Sequence, residues 1–152
     1  MIDCTFELNG KPMSAFKCGA ASFPAFSGLE KHVNKRVSAC IPNQGPIQPG
    51  TYYIIDRQSG GLIGPLRDLF TGRDKWFALY AIDDKIDDET FCNKVKRGLF
   101  RLHPKGPSGR SEGCIVINKE SDFLFLRTIL KNTSKGLIPG SELEAFGRVV
   151  VK

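Results

Sequence analysis

The sequence predicts a mainly β chain with one principal helix, an α+β fold. Three observations carry this. Sixteen Gly and nine Pro in 152 residues break the chain too often for long helices and favour strands joined by turns. Several short runs are β-branched or alternate apolar with polar residues. One stretch, Asn118 to about Lys131, carries its apolar residues at helical spacing. The length fits a single domain, 1–152, that buries about 70% of its unfolded surface. No repeat, low-complexity tract or interdomain linker divides it.

The elements follow in order. Cys4 to Leu8 alternates, Asn9-Gly10 is a hairpin signal because both residues tolerate positive φ, and Met13 to Cys18 returns. Gly19 to Gly50 reads as irregular, with Pro24, Pro42, Pro46 and Pro49 as breakers. Thr51 to Ile55 is β-branched and aromatic, hence a strand. Arg57 to Asp74 reads as a surface excursion with a short helical turn at Leu66 to Phe70. Trp76 to Ile82 returns to strand character, and Trp76 itself reads as packing. Asp83 to Glu89 is a solvated acidic loop, and Phe91 to Arg97 a turn or two of helix. Leu99 to His103 is a strand stopped by Pro104, and Cys114 to Ile117 is another. Asn118 is placed to cap the helix, whose face carries Phe123, Leu126, Ile129 and Leu130. Gly147 to Val151 closes the chain as a strand.

The formal net charge is +6, with basic residues scattered along the chain. This suits a cationic surface, or one that meets an anionic polymer. A non-catalytic cationic module for cell wall or nucleic acid is the alternative reading it supports. Five cysteines, at 4, 18, 40, 92 and 114, form no C-x-x-C pair, so neither a metal site nor any other cofactor is expected. Cys4 and Cys18 flank the predicted hairpin and are placed to pair, one choice among several that spacing leaves open. The N-terminus has no charged n-region or apolar h-region, and no run reaches membrane length. Cytoplasmic synthesis without a signal peptide is the expectation, and membrane insertion is not expected.

The chemistry concentrates in Arg101 to Ile117. A free thiol is only a few per cent ionised at neutral pH, so a nucleophilic cysteine needs a base nearby. His103 ends one strand, Cys114 starts the next, and a tight loop between them would bring the two together. Gly113 lets the backbone present the Gly113 and Cys114 amides to a developing oxyanion, worth about 3 kcal/mol for such a donor. Ser111 is placed to orient the imidazole or touch substrate. The implied reaction is acyl transfer, with Cys114 as nucleophile and His103 as base, then acid. The Gly/Ser-rich loop does not match a phosphate loop, because Gly106 to Ser111 is too short and leads into a strand.

These residues resemble the L,D-transpeptidases of bacterial cell walls, the YkuD-like catalytic domain. His103 followed by Ser111-Glu112-Gly113-Cys114-Ile115 matches the order of that family's signature, and Gln48-Pro49-Gly50-Thr51-Tyr52 resembles its strand entry. Glu112 stands where the family has a histidine, and Val116 where it has an arginine; Arg101 or Arg110 is the expected substitute for binding substrate. The short loop and small size resemble the antibacterial type VI secretion effectors of this type. The resemblance implies a β-sandwich-like fold and a cysteine L,D-carboxypeptidase or L,D-transpeptidase. Such an enzyme removes the terminal D-Ala of tetrapeptide stems or exchanges it for another D-amino acid. The implied partners are peptidoglycan stems, a cognate immunity protein and a secretion-apparatus component or chaperone. No nucleic acid is expected, and the implied place of action is the periplasm of target bacteria.

Overall fold

In β1 (Ile2–Phe6) the side chains of Cys4 and Phe6 are buried, while Asp3 and Thr5 face outward. The same alternation sets the registers of a closed barrel. The structure, a computed structural model, describes residues 1–57, 72–107 and 109–152. The remaining strands are β2 (Ser14–Cys18), β3 (Ala21–Phe26), β4 (Gly50–Asp56), β5 (Phe77–Ala81), β6 (Glu89–Cys92), β7 (Val95–Gly98), β8 (Arg101–Pro104) and β9 (Ile115–Ile117). After helix α1 (Glu120–Lys131) come β10 (Gly136–Leu137), β11 (Glu144–Ala145) and β12 (Gly147–Val151). The barrel order is β1-β12-β4-β5-β8-β9-β3-β2. The mainly β, one-helix reading therefore holds for the described residues. The expected sandwich gives way to an eight-stranded barrel, because β1 pairs in parallel with β12 and leaves no free edge there.

The barrel interior holds Phe6, Phe16, Tyr52, Ile54, Phe77, Leu102, Ile115 and Val149. Phe123, Leu126 and Leu130 of α1 join the same core. A second apolar layer, with Tyr53, Ile55, Ala78, Tyr80, Ile138 and Ala145, lies on the outer face of β4 and β5. Strands buried on both faces read as continuous apolar runs rather than alternating ones, which is why Tyr52 to Ile55 is apolar at every position.

Several local expectations need correction. The stretch after Gly19 is not wholly irregular, since β3 pairs with β2 and β9. Pro24 is tolerated there because its carbonyl, on the same side as the missing N–H, accepts from Asn118 N beyond the end of β9. Phe91 to Arg97 is a hairpin, not helix. Asn93 and Lys94 have φ of 48° and 69°, which matches a primed two-residue turn. Helix α1 begins at Glu120 after Lys119 with no side-chain cap, so Asn118 does not cap it. Cys4 and Cys18 face each other across β1 and β2 as free thiols. The disulfide joins Cys40 to Cys92 instead. The excursion after Arg57, with its proposed turn at Leu66 to Phe70, falls mostly outside the described residues. Among the described residues, no helix is long and apolar enough to cross a membrane.

Candidate active site

Strands β8 and β9 run parallel, with Leu102 beside Ile115 and His103 beside Val116. Leu102 and Ile115 point into the core. His103 therefore faces out of the barrel, and Cys114, two residues before Val116, falls on the same face as its diagonal neighbour. The sequence reading expected a tight loop joining two strand ends. The parallel register of β8 and β9 instead puts both residues on one face, where both line the same cavity.

His103 is 7% exposed. Its Nδ1 lies 2.8 Å from Pro104 O. A carbonyl only accepts, so Nδ1 carries the proton and donates it to this bond, leaving Nε2 as the basic nitrogen of the neutral ring. Burial pushes the imidazole below its ordinary range; the Pro104 hydrogen bond opposes this, and the charge of Arg73 reinforces it. The indole of Trp76 stacks on the imidazole, with centroids 4.2 Å apart and planes 18° apart. The Arg73 guanidinium lies 5.4 Å from the Trp76 ring centroid.

Cys114 is half-buried, and its Sγ lies 4.0 Å from Leu99 O. Burial pushes the thiol up to about 11, against the lowering influence of the Arg101 backbone and side chain; Glu112 and Asp88 raise it further. Burial disfavours charge on both groups. Burial therefore favours the neutral thiol over the thiolate and the neutral imidazole over the imidazolium.

The corner before Cys114 is rigidly built. Ser111 is 2% exposed, donates from Oγ to Cys114 O at 2.7 Å and accepts from Gly28 N at 3.1 Å. It holds the corner to the neighbouring loop and makes no hydrogen bond to His103. Gly113 has φ of 117°, and a Cβ there would lie 2.7 Å from Phe100 Cε1 and 3.0 Å from Arg97 Nη2. Glycine is needed both for the backbone angle and for this close approach.

Arg97 was not among the expected site residues. It is 6% exposed, and Nη2 donates to Gly45 O at 3.0 Å and Pro46 O at 2.8 Å. Its guanidinium lies 5.3 Å from the Phe100 ring centroid. Arg101 is not open to substrate as expected, because it forms a bidentate pair with Asp88 at 2.7 and 2.6 Å. Asp88 is thus a structural anchor within the acidic stretch that read as solvated. Arg110 does line the cavity, where it pairs with Glu112 at 3.1 Å. Val116 is fully buried.

His103 and Cys114 open on one cavity of about 640 Å³. Its walls also carry Trp76, Arg73, Lys75, Lys105, Arg110, Glu112 and, from α1, Glu120 and Phe123. The cations outnumber the carboxylates, which suits a ligand bearing carboxylate groups. No local sequence signal identifies Trp76 or Arg73: the antiparallel pairing of β5 with β8 brings Trp76 beside His103, and Arg73 sits over the Trp76 ring. Among the described residues, no group of three His, Cys, Asp or Glu is placed to hold a metal ion.

The family model of the Tlde1 domain matches residues 21–141. That span runs from β3 to beyond β10 and includes His103, Cys114 and Trp76. No curated protein and no solved structure matches the chain. Because the match takes in most of the chain and all of the site just described, the chain belongs to the Tlde1 domain family, a family of type VI secretion effectors.

Proposed function

We propose that this protein is a cysteine acyltransferase that acts on peptidoglycan tetrapeptide stems as an L,D-carboxypeptidase and L,D-transpeptidase. The observation that carries the reading is the shared cavity wall: Cys114 and His103 face one space, with Nδ1 of His103 committed to Pro104 O. That commitment leaves Nε2 to take a proton.

In the proposed reaction, substrate closes over the cavity and Cys114 Sγ attacks the carbonyl carbon of the amide before the terminal D-Ala. The thiol proton passes to Nε2. The carbonyl π-electrons move to oxygen, where the Gly113 and Cys114 amides donate hydrogen bonds. Collapse breaks the C–N bond, and the imidazolium protonates the departing amine. A thioester remains on Cys114. Water then yields the tripeptide stem, or the amine of another D-amino acid yields the exchanged stem. His103 removes a proton from either nucleophile, and Cys114 leaves as the thiol. No cofactor takes part.

Acting in the periplasm of target bacteria, such an enzyme depletes the donor stems needed for crosslinks, which is an antibacterial outcome. A producer then needs a cognate immunity protein, and delivery needs a secretion-apparatus component or chaperone. The test is incubation with disaccharide–tetrapeptide, with and without added D-amino acids, followed by mass spectrometry. Loss of one D-Ala residue, or its replacement, is expected. Full conversion by Cys114→Ala would sink the mechanism. The alternative, a non-catalytic cationic module, predicts salt-sensitive wall binding by the wild-type protein with no turnover.

A further inference from the structure

A second cavity, of about 450 Å³, lies beside the first. Pro12, Met13, Phe26 and Val33 give it apolar walls, and Lys11, Lys31, Lys35 and Lys105 stand around them with Glu30 as the one carboxylate. Lys105 lines both cavities. It follows His103-Pro104 directly and is held by a backbone hydrogen bond from its N to Ile117 O at 3.0 Å. The groove and the catalytic cavity are therefore neighbours across a single lysine.

The groove is built rather than incidental. Asn34 is fully buried with φ of 55°. Its Oδ1 accepts from Ser27 N at 3.0 Å, its Nδ2 donates to Lys11 O at 2.8 Å, and its carbonyl accepts from Gly10 N at 2.8 Å. One side chain thus ties the turn after β1 to the segment that carries Lys31 and Lys35. Elsewhere Lys85, Lys96, Lys131 and Lys135 are each in an ion pair. Among the described residues, Lys11, Lys31, Lys35 and Lys105 have no carboxylate within ion-pairing distance. Unpaired cations gathered around an apolar trough are complementary to an anionic ligand with apolar surfaces.

We propose that this groove binds the next carboxylate-bearing stretch of the same glycan–peptide strand whose stem occupies the catalytic cavity. The inference rests on the peptidoglycan reading above. The lysines meet stem carboxylates, and the apolar walls meet the C–H faces of sugars and alkyl side chains. The protein then reads a polymer across two adjoining sites, and its affinity rises with the number of repeats.

The experiment compares two probes, a single disaccharide–tetrapeptide and a soluble uncrosslinked strand of several such repeats. Binding is measured on Cys114→Ala protein, so that it does not depend on turnover. Adding Lys11→Glu, Lys31→Glu and Lys35→Glu, all exposed positions, is expected to weaken strand binding at least about tenfold at low salt. Single-repeat binding should stay within about twofold. The matching Lys→Arg triple variant should retain strand binding and control for folding. In the Cys114 background, KM for the strand should rise while kcat for the single repeat is unchanged. Equal strand binding by the Lys→Glu and parent proteins overturns the proposal. So does loss of binding to an acidic protein with strand binding intact, which makes the groove a protein-docking surface. Failure of the wild-type protein to convert the single repeat instead sinks the catalytic reading, and the binding comparison still decides the groove.

Discussion

Trp76 lies nearly parallel to His103, with ring centroids 4.2 Å apart. An indole face attracts a cation, typically by 0.5–1 kcal/mol when exposed and about 2 when desolvated. The stack therefore holds the imidazole plane and favours an imidazolium, the form His103 takes in the proposed reaction. Arg73, over the same indole, and burial both work against that charge. The balance lowers the imidazole pKa at rest while leaving the Trp76 face to oppose that shift.

Replacing Trp76 should expose that balance. Trp76→Leu is expected to lower kcat about tenfold, with Trp76→Phe retaining most activity. Without the indole, the His103 pKa should fall further, so the acid limb of the kcat/KM profile should move to lower pH. Trp76 is the chain's single tryptophan, which adds a readout independent of turnover. Its emission should drop as His103 protonates, with a midpoint below the ordinary 6.5, and His103→Gln should abolish the step. A Leu variant with a wild-type pH profile would reduce Trp76 to packing.

The neutral resting thiol makes its own prediction. Burial pushes Cys114 up to about 11, so the reactive thiolate is scarce at neutral pH and grows as pH rises. Alkylation of Cys114 in the free protein, followed by peptide mapping, should accelerate about tenfold per pH unit from 7 to 10 without a plateau. A plateau near pH 7 would mean that a thiolate–imidazolium pair already exists before substrate binds.

Gly113 should tolerate no side chain. Ala at φ of 117° places Cβ 2.7 Å from Phe100 and 3.0 Å from Arg97. Backbone strain and overpacking together are expected to cost about 2–4 kcal/mol in urea unfolding and to abolish turnover. Adding Phe100→Leu to Gly113→Ala should recover part of the stability, because the ring is the nearest obstacle. No recovery at all would put the cost on backbone strain and the Arg97 contact rather than on the ring.

The disulfide should matter mainly for stability. Cys40 and Cys92 are 52 residues apart in sequence, and closing a loop of that length stabilises by about 4 kcal/mol in the chain-entropy account. The double Cys→Ala variant should melt about 10 °C lower, measured by circular dichroism. Arg97 also ties the β6–β7 hairpin to Gly45 and Pro46, so the fold should survive. An unchanged melting temperature would mean that these hydrogen bonds alone suffice.

Local chemistry in the sequence determined the strands around Thr51, Phe77 and Val149, the helix ending at Lys131, and the His103 to Cys114 segment. Each is written in residues close along the chain: β-branched runs, helical spacing, and a glycine before a cysteine. The Phe91 to Arg97 hairpin depends on two non-glycine residues at positive φ, Asn93 and Lys94, which composition does not announce. Tertiary structure alone decided the closure of the barrel, the Cys40–Cys92 pairing and the loss of Arg101 to Asp88. It also decided that Trp76 lies on His103 and that Arg97 lies under Gly113. These contacts join residues whose separation carries no periodic signal, so only the packed barrel specifies them.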